Sequence, residues 1–221
     1  MSKVIVKCYV IGQVMTNCYY VYREGSHDAV FVDPADYGDK IYEALQAQGL
    51  NVAAILLTHA HFDHIWGLQA LKERCGAKVY ANALEEDVCQ SAELNHSAMH
   101  GRPCTVQPDV LLRDGESVTL AGITFRMIST PGHTHGSCCY YIEGHDTDGS
   151  RGGTEDAPIL LSGDTLFFES CGRTDLPTGS SSDMVHSVKD KLFLLPDDTI
   201  VYPGHEEFTT IGHEKENNFL I

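Results

Sequence analysis

The side chains best suited to chemistry crowd into one short segment, Thr58-His59-Ala60-His61-Phe62-Asp63-His64. Imidazole and carboxylate groups are the ligands that zinc and iron prefer in proteins. A single histidine after a strand is more often a hydrogen-bonded core or surface residue than a ligand. Four metal-capable side chains within six residues are hard to explain by packing. The segment therefore predicts a metal site, and it offers enough ligands to begin two.

The remaining ligands are expected downstream, where three segments each place a His or an Asp beside a turn residue. These candidates are His133 in Thr130-Pro131-Gly132-His133-Thr134, Asp164 in Ser162-Gly163-Asp164-Thr165, and His205 in Tyr202-Pro203-Gly204-His205-Glu206. Two of the carboxylates have rival roles, because Asp63 precedes a helix and could cap it, and Asp164 could sit in a turn. For Asp164 we favour a position between two cations, since a carboxylate there lowers their mutual repulsion.

Short strands and helices must bring these segments together. Apolar runs and alternation predict strands over residues 4–10, 17–22, 29–32, 53–57, 78–81, 117–120, 123–129, 138–142, 159–162 and 199–202. Helical spacing predicts helices over residues 37–48, 63–75, 85–92 and 182–194. The histidine segment is then a strand-to-helix turn, and the other candidates also follow strands. Loops at strand ends are where sites accumulate on α/β scaffolds.

Composition bounds the class of protein. The 221 residues are 43% hydrophobic, which predicts a single domain over residues 1–221 with a substantial core. A net charge of −16 argues against nucleic acid as a partner, because phosphate binding relies on Lys and Arg. No apolar stretch is long enough for a signal segment or a membrane span, so we expect a cytoplasmic protein without a membrane partner. The polar, glycine-rich segment 143–158 is predicted to be a flexible insertion.

The motif set Thr-His-x-His-x-Asp-His, Pro-Gly-His-Thr, Ser-Gly-Asp-Thr and Pro-Gly-His-Glu resembles that of the metallo-β-lactamase fold superfamily. The resemblance runs from about residue 5 to the end. It implies an α/β fold, an αββα four-layer sandwich in which two mixed β-sheets are flanked by helices. It also implies two divalent metal ions, zinc first, with iron or manganese as alternatives. By this similarity the first metal is bound by His59, His61 and His133, the second by Asp63, His64 and His205, and both by Asp164.

Within the superfamily, the chain most resembles the short glyoxalase II-like group, because Cys171-Gly172-Arg173-Thr174-Asp175 follows the Asp164 segment. Full-length glyoxalase II carries a helical C-terminal domain that helps to hold glutathione, and we expect this chain to have none. The resemblance implies a thioester hydrolase acting on S-lactoylglutathione or a similar small thiol ester. A smaller or different thiol is the alternative to glutathione.

The implied mechanism uses two cations bridged by a water whose pKa falls toward about 7, so that hydroxide attacks the thioester carbonyl. Asp63 and Asp164 would be the carboxylates that take part in catalysis by holding these cations. Arg173 is a candidate for binding an anionic group of the substrate, and a local salt bridge with Asp175 is the equal alternative. Tyr202 is a second candidate for substrate binding because it adjoins a ligand segment.

A second reading of the same residues is a sulfur oxidoreductase. Persulfide dioxygenases look similar over this stretch, and they hold one iron through positions that match His59, His133 and Asp164. The other histidines can be present in such a protein without binding metal. The sequence does not separate the two readings, and it leaves the oligomeric state open.

Overall fold

The structure is a computed structural model that describes residues 2–144 and 157–221. The predicted insertion at 143–158 falls mostly on residues 145–156, which lie outside the described residues. Within the described ranges, no helix has both the length and the apolar character needed to cross a membrane.

The first sheet is built from the N-terminal half of the chain in strictly sequential order. Its strands are β1 (Val4–Ile11), β2 (Thr16–Arg23), β3 (Asp28–Val32), β4 (Asn51–Leu56), β5 (Lys78–Asn82) and β6 (Val110–Leu112). Strands β1 to β3 pair antiparallel, while β3 to β6 pair parallel. The parallel strands need crossover connections, and these supply α1 (Gly38–Ala47), α2 (Phe62–Ile65), α3 (Leu68–Cys75) and α4 (Glu86–Gln90).

The second sheet uses the C-terminal half in the order β14, β13, β10, β9, β8, β7. Its strands are β7 (Ser117–Leu120), β8 (Ile123–Ser129), β9 (Cys138–Ile142), β10 (Ile159–Gly163), β13 (Ile200–Pro203) and β14 (Thr209–Thr210). Strands β10 and β13 are parallel and the other pairs are antiparallel, so both sheets are mixed. A small ribbon of β11 (Leu166–Phe167) and β12 (Ser170–Cys171) follows β10.

Three apolar clusters hold the layers together. The central cluster lies between the sheets and joins residues such as Val30 and Leu56 to Phe125 and Tyr140. A second cluster packs the outer face of the first sheet against the helices α1, α3 and α4. The third packs the second sheet against α5 (Ser181–Asp190) and α6 (Ile211–Asn217). This order of layers is the predicted αββα sandwich, and the fold prediction is confirmed.

The predicted helix over residues 63–75 is wrong in one respect, because it is broken into α2 and α3 at Gly67. A Cβ atom on Gly67 would come within 2.8 Å of backbone atoms of Pro34 and Asp36. The Gly67 N–H also donates to the Pro34 carbonyl at 2.9 Å. The loop after β3 therefore approaches the helix closely enough to require glycine, and this keeps α2 a short turn that carries site residues.

Candidate metal centre

The candidate ligands all follow strands that end at the same edge of the sandwich. His59 and His61 come directly after β4, and Asp63 and His64 lie on α2. The remaining three are in the β8–β9 loop, after β10 and after β13, and they are His133, Asp164 and His205. His59, His61, His64, His133 and Asp164 are buried, while Asp63 and His205 are partly exposed at the rim.

The seven side chains converge into three overlapping groups whose ligand atoms lie within 4.8 Å of one another. The groups are His59 with His61 and His133, His59 with His64 and Asp164, and Asp63 with His64 and His205. Asp164 lies between the first and the last of them. Its Oδ2 is 3.6 Å from Nε2 of His133 and 3.6 Å from Nε2 of His205, and its Oδ1 is 3.3 Å from Nε2 of His64.

Glycine before His205 makes this convergence possible. A Cβ on Gly204 would collide with Oδ1 of Asp164 and would lie 2.9 Å from Cε1 of His64. The Gly204 N–H donates to the Gly163 carbonyl at 2.8 Å, which joins the ends of β10 and β13. The Pro-Gly-His pattern therefore has a packing reason as well as a ligand.

Three ligand histidines each have one ring nitrogen in contact with another protein group. That contact orients the ring so that the other nitrogen faces the centre. Nδ1 of His59 lies 3.2 Å from the Thr58 hydroxyl, and Nδ1 of His64 lies 3.0 Å from the Asp33 carboxylate. Nδ1 of His133 donates to the Arg173 carbonyl at 2.8 Å. In each case Nε2 is the nitrogen that faces the centre, which is how histidine presents itself to a metal.

The arrangement fits metal ions. Two buried ring nitrogens, Nε2 of His59 and Nε2 of His61, have no hydrogen-bond partner among residues 2–144 and 157–221. Buried polar atoms left unpaired cost free energy, so this cluster needs cations to satisfy it.

The charges in the cluster also favour cations. Burial lowers the pKa of His61 to about 3 and that of His59 well below its ordinary value, so both imidazoles stay neutral and keep their lone pairs. Burial alone would lower the pKa of His64 too, but Asp164, Asp63 and Asp33 raise it well above its ordinary value. Negative charge therefore dominates around His64, where the second ion is expected.

Asp33, directly after β3, is a supporting residue that no sequence pattern singled out. Its Oδ1 accepts a hydrogen bond from the Thr58 N–H at 2.8 Å, and its Oδ2 accepts from the Thr58 hydroxyl at 2.6 Å and from His64 at 3.0 Å. The residue has a φ of 52°, in the left-handed region that Asp and Asn tolerate best. One buried carboxylate thus orients His64 and, through Thr58, His59.

Replacing this carboxylate should weaken the binding of the second ion. Asp33→Asn keeps the backbone conformation and the size but removes the charge. Replacing a residue that hydrogen-bonds to a metal ligand typically lowers metal affinity by about 10–100-fold. The affinity is measured by competition with a chromogenic chelator. The matched control is Asp36→Ala. It removes a carboxylate that lies on the same loop as Asp33 and pairs with Arg102. Equal affinities in the two variants would contradict the assignment.

Glu85 is a second supporting residue, and it is 1% exposed. Its Oε1 accepts from the Ala60 N–H at 2.9 Å and its Oε2 accepts from the Thr134 hydroxyl at 2.7 Å. Ala60 lies between His59 and His61, and Thr134 follows His133, so Glu85 joins the two loops of the first metal group. Burial raises the pKa of Glu85 to about 8.

This raised pKa predicts how the stability of the metal-free protein varies with pH. A carboxyl group that titrates at about 8 when folded and at 4.5 when free holds a proton that the unfolded chain releases. Its contribution is fully present below pH 4.5 and is lost as pH rises through 8. We expect the contribution of Glu85 to the free energy of unfolding to fall by on the order of 3 kcal/mol between pH 5 and pH 8, so the difference in stability between the wild type and Glu85→Gln should change by that amount. Urea denaturation of both proteins at the two pH values measures it, and parallel profiles would refute it.

The metal centre opens into a cleft of about 610 Å³. The cleft is lined by five ligand side chains at its floor, by Arg173, and by apolar and aromatic residues that include Val14, Phe62, Met99, Phe167 and Leu176. Arg173 is at this cleft, and its guanidinium makes a bidentate salt bridge to Asp175 at 2.7 and 2.9 Å. The local salt bridge that the sequence left as an alternative is therefore formed.

Tyr202 is not brought to the cleft. It is 6% exposed and belongs to the cluster between the two sheets, where its ring meets Tyr19 edge to face at a centroid distance of 5.5 Å. Side chains alternate along β13, so Ile200 and Tyr202 face the central core while Val201 faces the helices. Its placement gives Tyr202 a packing role, in contrast to the substrate contact predicted from its neighbour in sequence.

Comparison with known proteins identifies relatives along nearly the whole chain. Residues 11–205 match the family model described as the metallo-beta-lactamase superfamily. The chain is 35% identical over 216 residues to an uncharacterized protein of Aquifex aeolicus, covering 97% of this chain and 95% of that protein. It is 33% identical to the probable metallo-hydrolase YqgX of Bacillus subtilis, covering 94% and 93%, and 29% identical to hydroxyacylglutathione hydrolase GloC of Haemophilus influenzae, covering 91% and 91%.

Solved structures agree with this. The B3 metallo-beta-lactamase BLEG-1 superposes with a TM-score of 0.85 at 37% identity, covering 97% of this chain and 99% of that chain. TTHA1623 in a di-iron-bound form gives 0.80 at 31% identity, covering 97% and 100%. ETHE1 from Myxococcus xanthus gives 0.76 at 28% identity, covering 97% and 83%. The predicted family resemblance is confirmed.

Proposed function

Since the chain belongs to the metallo-beta-lactamase superfamily, we propose that it is a binuclear metallohydrolase that cleaves thioesters, with S-lactoylglutathione or a similar thiol ester as substrate. The observation that carries the proposal is the second ligand group. Asp63, His64 and His205 are gathered as closely as the three histidines of the first group, with Asp164 between them. A hydrolase that uses two ions requires both groups, whereas a mononuclear enzyme requires one.

In this mechanism the ligand residues form two metal sites that share one carboxylate. His59, His61 and His133 would hold one divalent ion, and Asp63, His64 and His205 the other. A pair of such ions supplies an activated water near neutral pH and polarises the carbonyl to be attacked. Asp164 would belong to both sites, and Asp33 orients His64 through Nδ1 so that Nε2 faces the second site. We propose zinc as the metal, with iron or manganese as alternatives, and the di-iron form of TTHA1623 supports iron.

The cleft supports a small thioester substrate. Its floor carries the ligands, and its apolar walls suit the thiol arm and the acyl chain. The pair of Arg173 and Asp175 is exposed, and exposed ion pairs contribute little free energy, so a substrate carboxylate could replace Asp175 at the guanidinium. Likeness to hydroxyacylglutathione hydrolase GloC supports a 2-hydroxyacyl thioester. All eight cysteines are free, which supports the proposed cytoplasmic location.

The second candidate is a mononuclear-iron persulfide dioxygenase that uses His59, His133 and Asp164. The likeness to ETHE1 from Myxococcus xanthus favours this alternative, and the three residues do lie together in the structure. It leaves Asp63, His64 and His205 without a role. Their convergence is the reason that we place hydrolysis first.

One preparation separates the candidates. The protein is purified without added metal, its metal content is determined, and it is assayed with S-lactoylglutathione, with glutathione persulfide under oxygen, and with a β-lactam, because BLEG-1 is a B3 metallo-beta-lactamase. We expect two metal ions per chain and thioester hydrolysis. A single iron with oxygen uptake on the persulfide would overturn the proposal.

A further inference from the structure

His96 is a histidine of the cleft that belongs to none of the ligand groups. It lines the cleft beside Met99 and His100, and its ring lies 5.3 Å from the ring of His61, nearly perpendicular to it. The residue is 7% exposed. Nothing in the proposed hydrolysis accounts for a buried imidazole at this distance from the metal centre.

The backbone around His96 is held in a costly conformation. Its φ is 64°, in the left-handed region that non-glycine residues rarely adopt. The loop is fixed to α2 because the Phe62 N–H donates to the Asn95 carbonyl at 2.9 Å, and the Asn95 side chain bonds to the Cys104 carbonyl at 2.9 Å. Strain of this kind persists where the surroundings enforce it, and it is concentrated at functional sites.

The two ring nitrogens of His96 have different surroundings. Nδ1 lies 3.4 Å from the sulfur of Met99. A thioether carries no proton, so Nδ1 is the protonated nitrogen of the neutral ring. Nε2 is buried and has no hydrogen-bond partner within the two described ranges. In the neutral ring Nε2 is therefore an unused hydrogen-bond acceptor, and it belongs to a residue that lines the cleft.

We propose that His96 is a specificity residue whose Nε2 accepts a hydrogen bond from a hydroxyl group on the acyl part of the substrate. The inference rests on the proposed thioester hydrolysis and names which acyl groups it selects. The acyl part is indicated because the His96 ring packs against that of His61, where the reacting carbonyl must lie, whereas Arg173 and the apolar walls remain for the thiol arm. A 2-hydroxyacyl group places its hydroxyl one carbon from that carbonyl.

The test compares two thioesters that differ by this hydroxyl. S-lactoylglutathione and S-propionylglutathione are assayed at pH 8 with the wild type, His96→Gly and His100→Gln. Glycine accepts the left-handed conformation, so the variant removes the imidazole without straining the loop. His100, which stacks on Phe62 at 3.9 Å in the same loop, is the matched control.

We expect the ratio of kcat/KM for the lactoyl substrate over the propionyl substrate to fall about five- to ten-fold in His96→Gly, as for the loss of one neutral hydrogen bond. The ratio should not change in His100→Gln. Because each ratio is compared with the wild type, the different intrinsic reactivities of the two thioesters cancel. An equal loss on both substrates in His96→Gly would overturn the inference while leaving hydrolysis itself intact.

A spectroscopic measurement tests the same claim without turnover. Long-range ¹H–¹⁵N spectra of the metal-loaded wild type should show Nε2 of His96 as the unprotonated nitrogen, and its resonance should shift on addition of lactate but not of propionate. A protonated Nε2, or the same response to both acids, would refute the acceptor role. If the wild type cleaved neither thioester, the proposed function would fail, and the lactate response would still decide the inference.

Discussion

Asp164→Ala is expected to abolish thioester hydrolysis, with kcat falling by at least about 10³-fold, and to lower the metal content of the protein. Asp164 is the group that faces both ligand sets, with its two oxygens within 3.3 to 3.6 Å of nitrogens of His64, His133 and His205. Burial alone would raise the pKa of this carboxyl group, but His64 holds it well below its ordinary value. Removing the charge therefore leaves two cations with nothing between them to reduce their repulsion.

Two further variants make that result interpretable. Asp164→Asn keeps the volume that Gly204 makes room for, and it should lose activity nearly as completely as Asp164→Ala because the charge is gone. Asp190→Ala removes an exposed carboxylate of α5 that pairs with His186, and it should behave as wild type. Steady-state kinetics and elemental analysis of the same samples provide the readout. Turnover unchanged in either Asp164 variant would be fatal to the proposed site.

His205→Ala is the prediction that separates a two-ion hydrolase from a one-iron oxygenase. His205 is a candidate ligand of the second site alone, where its Nε2 lies 3.2 Å from Oδ2 of Asp63. In the hydrolase we expect the variant to keep about one ion in place of two and to lose about 10²–10³-fold in kcat, because the second ion no longer helps to activate water. In the oxygenase the ligands His59, His133 and Asp164 are all intact, so metal content and oxygen uptake would be unchanged.

The matched control for this histidine is His186→Ala. Its side chain is 70% exposed on α5, so it tests whether loss of any imidazole affects the preparation. Metal content is measured by elemental mass spectrometry after gel filtration, and hydrolysis by loss of thioester absorbance. If His205→Ala retained two ions and full hydrolysis, the second site would have to be placed elsewhere.

The positions of the metal-centre residues could be predicted from the sequence because each follows a strand. Ala54, Ile55 and Leu56 mark a buried central strand by composition alone, and the histidine segment begins where that strand ends. The Pro-Gly-His segments could be interpreted in the same way, because a glycine beside a candidate ligand indicates close approach of the backbone. The ligand sets themselves came from the family resemblance.

Other features depend on contacts between distant residues. The helix breaks at Gly67 because the loop after β3 approaches it closely. Strand β6 (Val110–Leu112) forms only because it pairs in parallel with β5. Strand β6 has only three residues, which are too few for alternation to indicate a strand, and none was predicted there. Helix α6 (Ile211–Asn217) was also missed, because its buried face is only Ile211 and Glu214.

The supporting residues were the hardest to find. A glutamate in a predicted helix is expected to be exposed to solvent. Only the fold shows that Glu85 is buried between the two ligand-bearing loops. Tyr202 shows the opposite error, since adjacency to His205 suggested contact with substrate while the alternation of β13 turns the ring into the core. Neighbours in sequence point to opposite faces of a strand, so proximity along the chain is poor evidence for a shared site.

The number of metal ions bound per chain tests the central claim most directly. Wild-type protein purified without added metal, and then equilibrated with zinc and freed of excess, is measured by elemental mass spectrometry against its amino-acid content. The seven converging residues predict two ions per chain. One ion or none, in protein that is folded and monodisperse, would contradict the account.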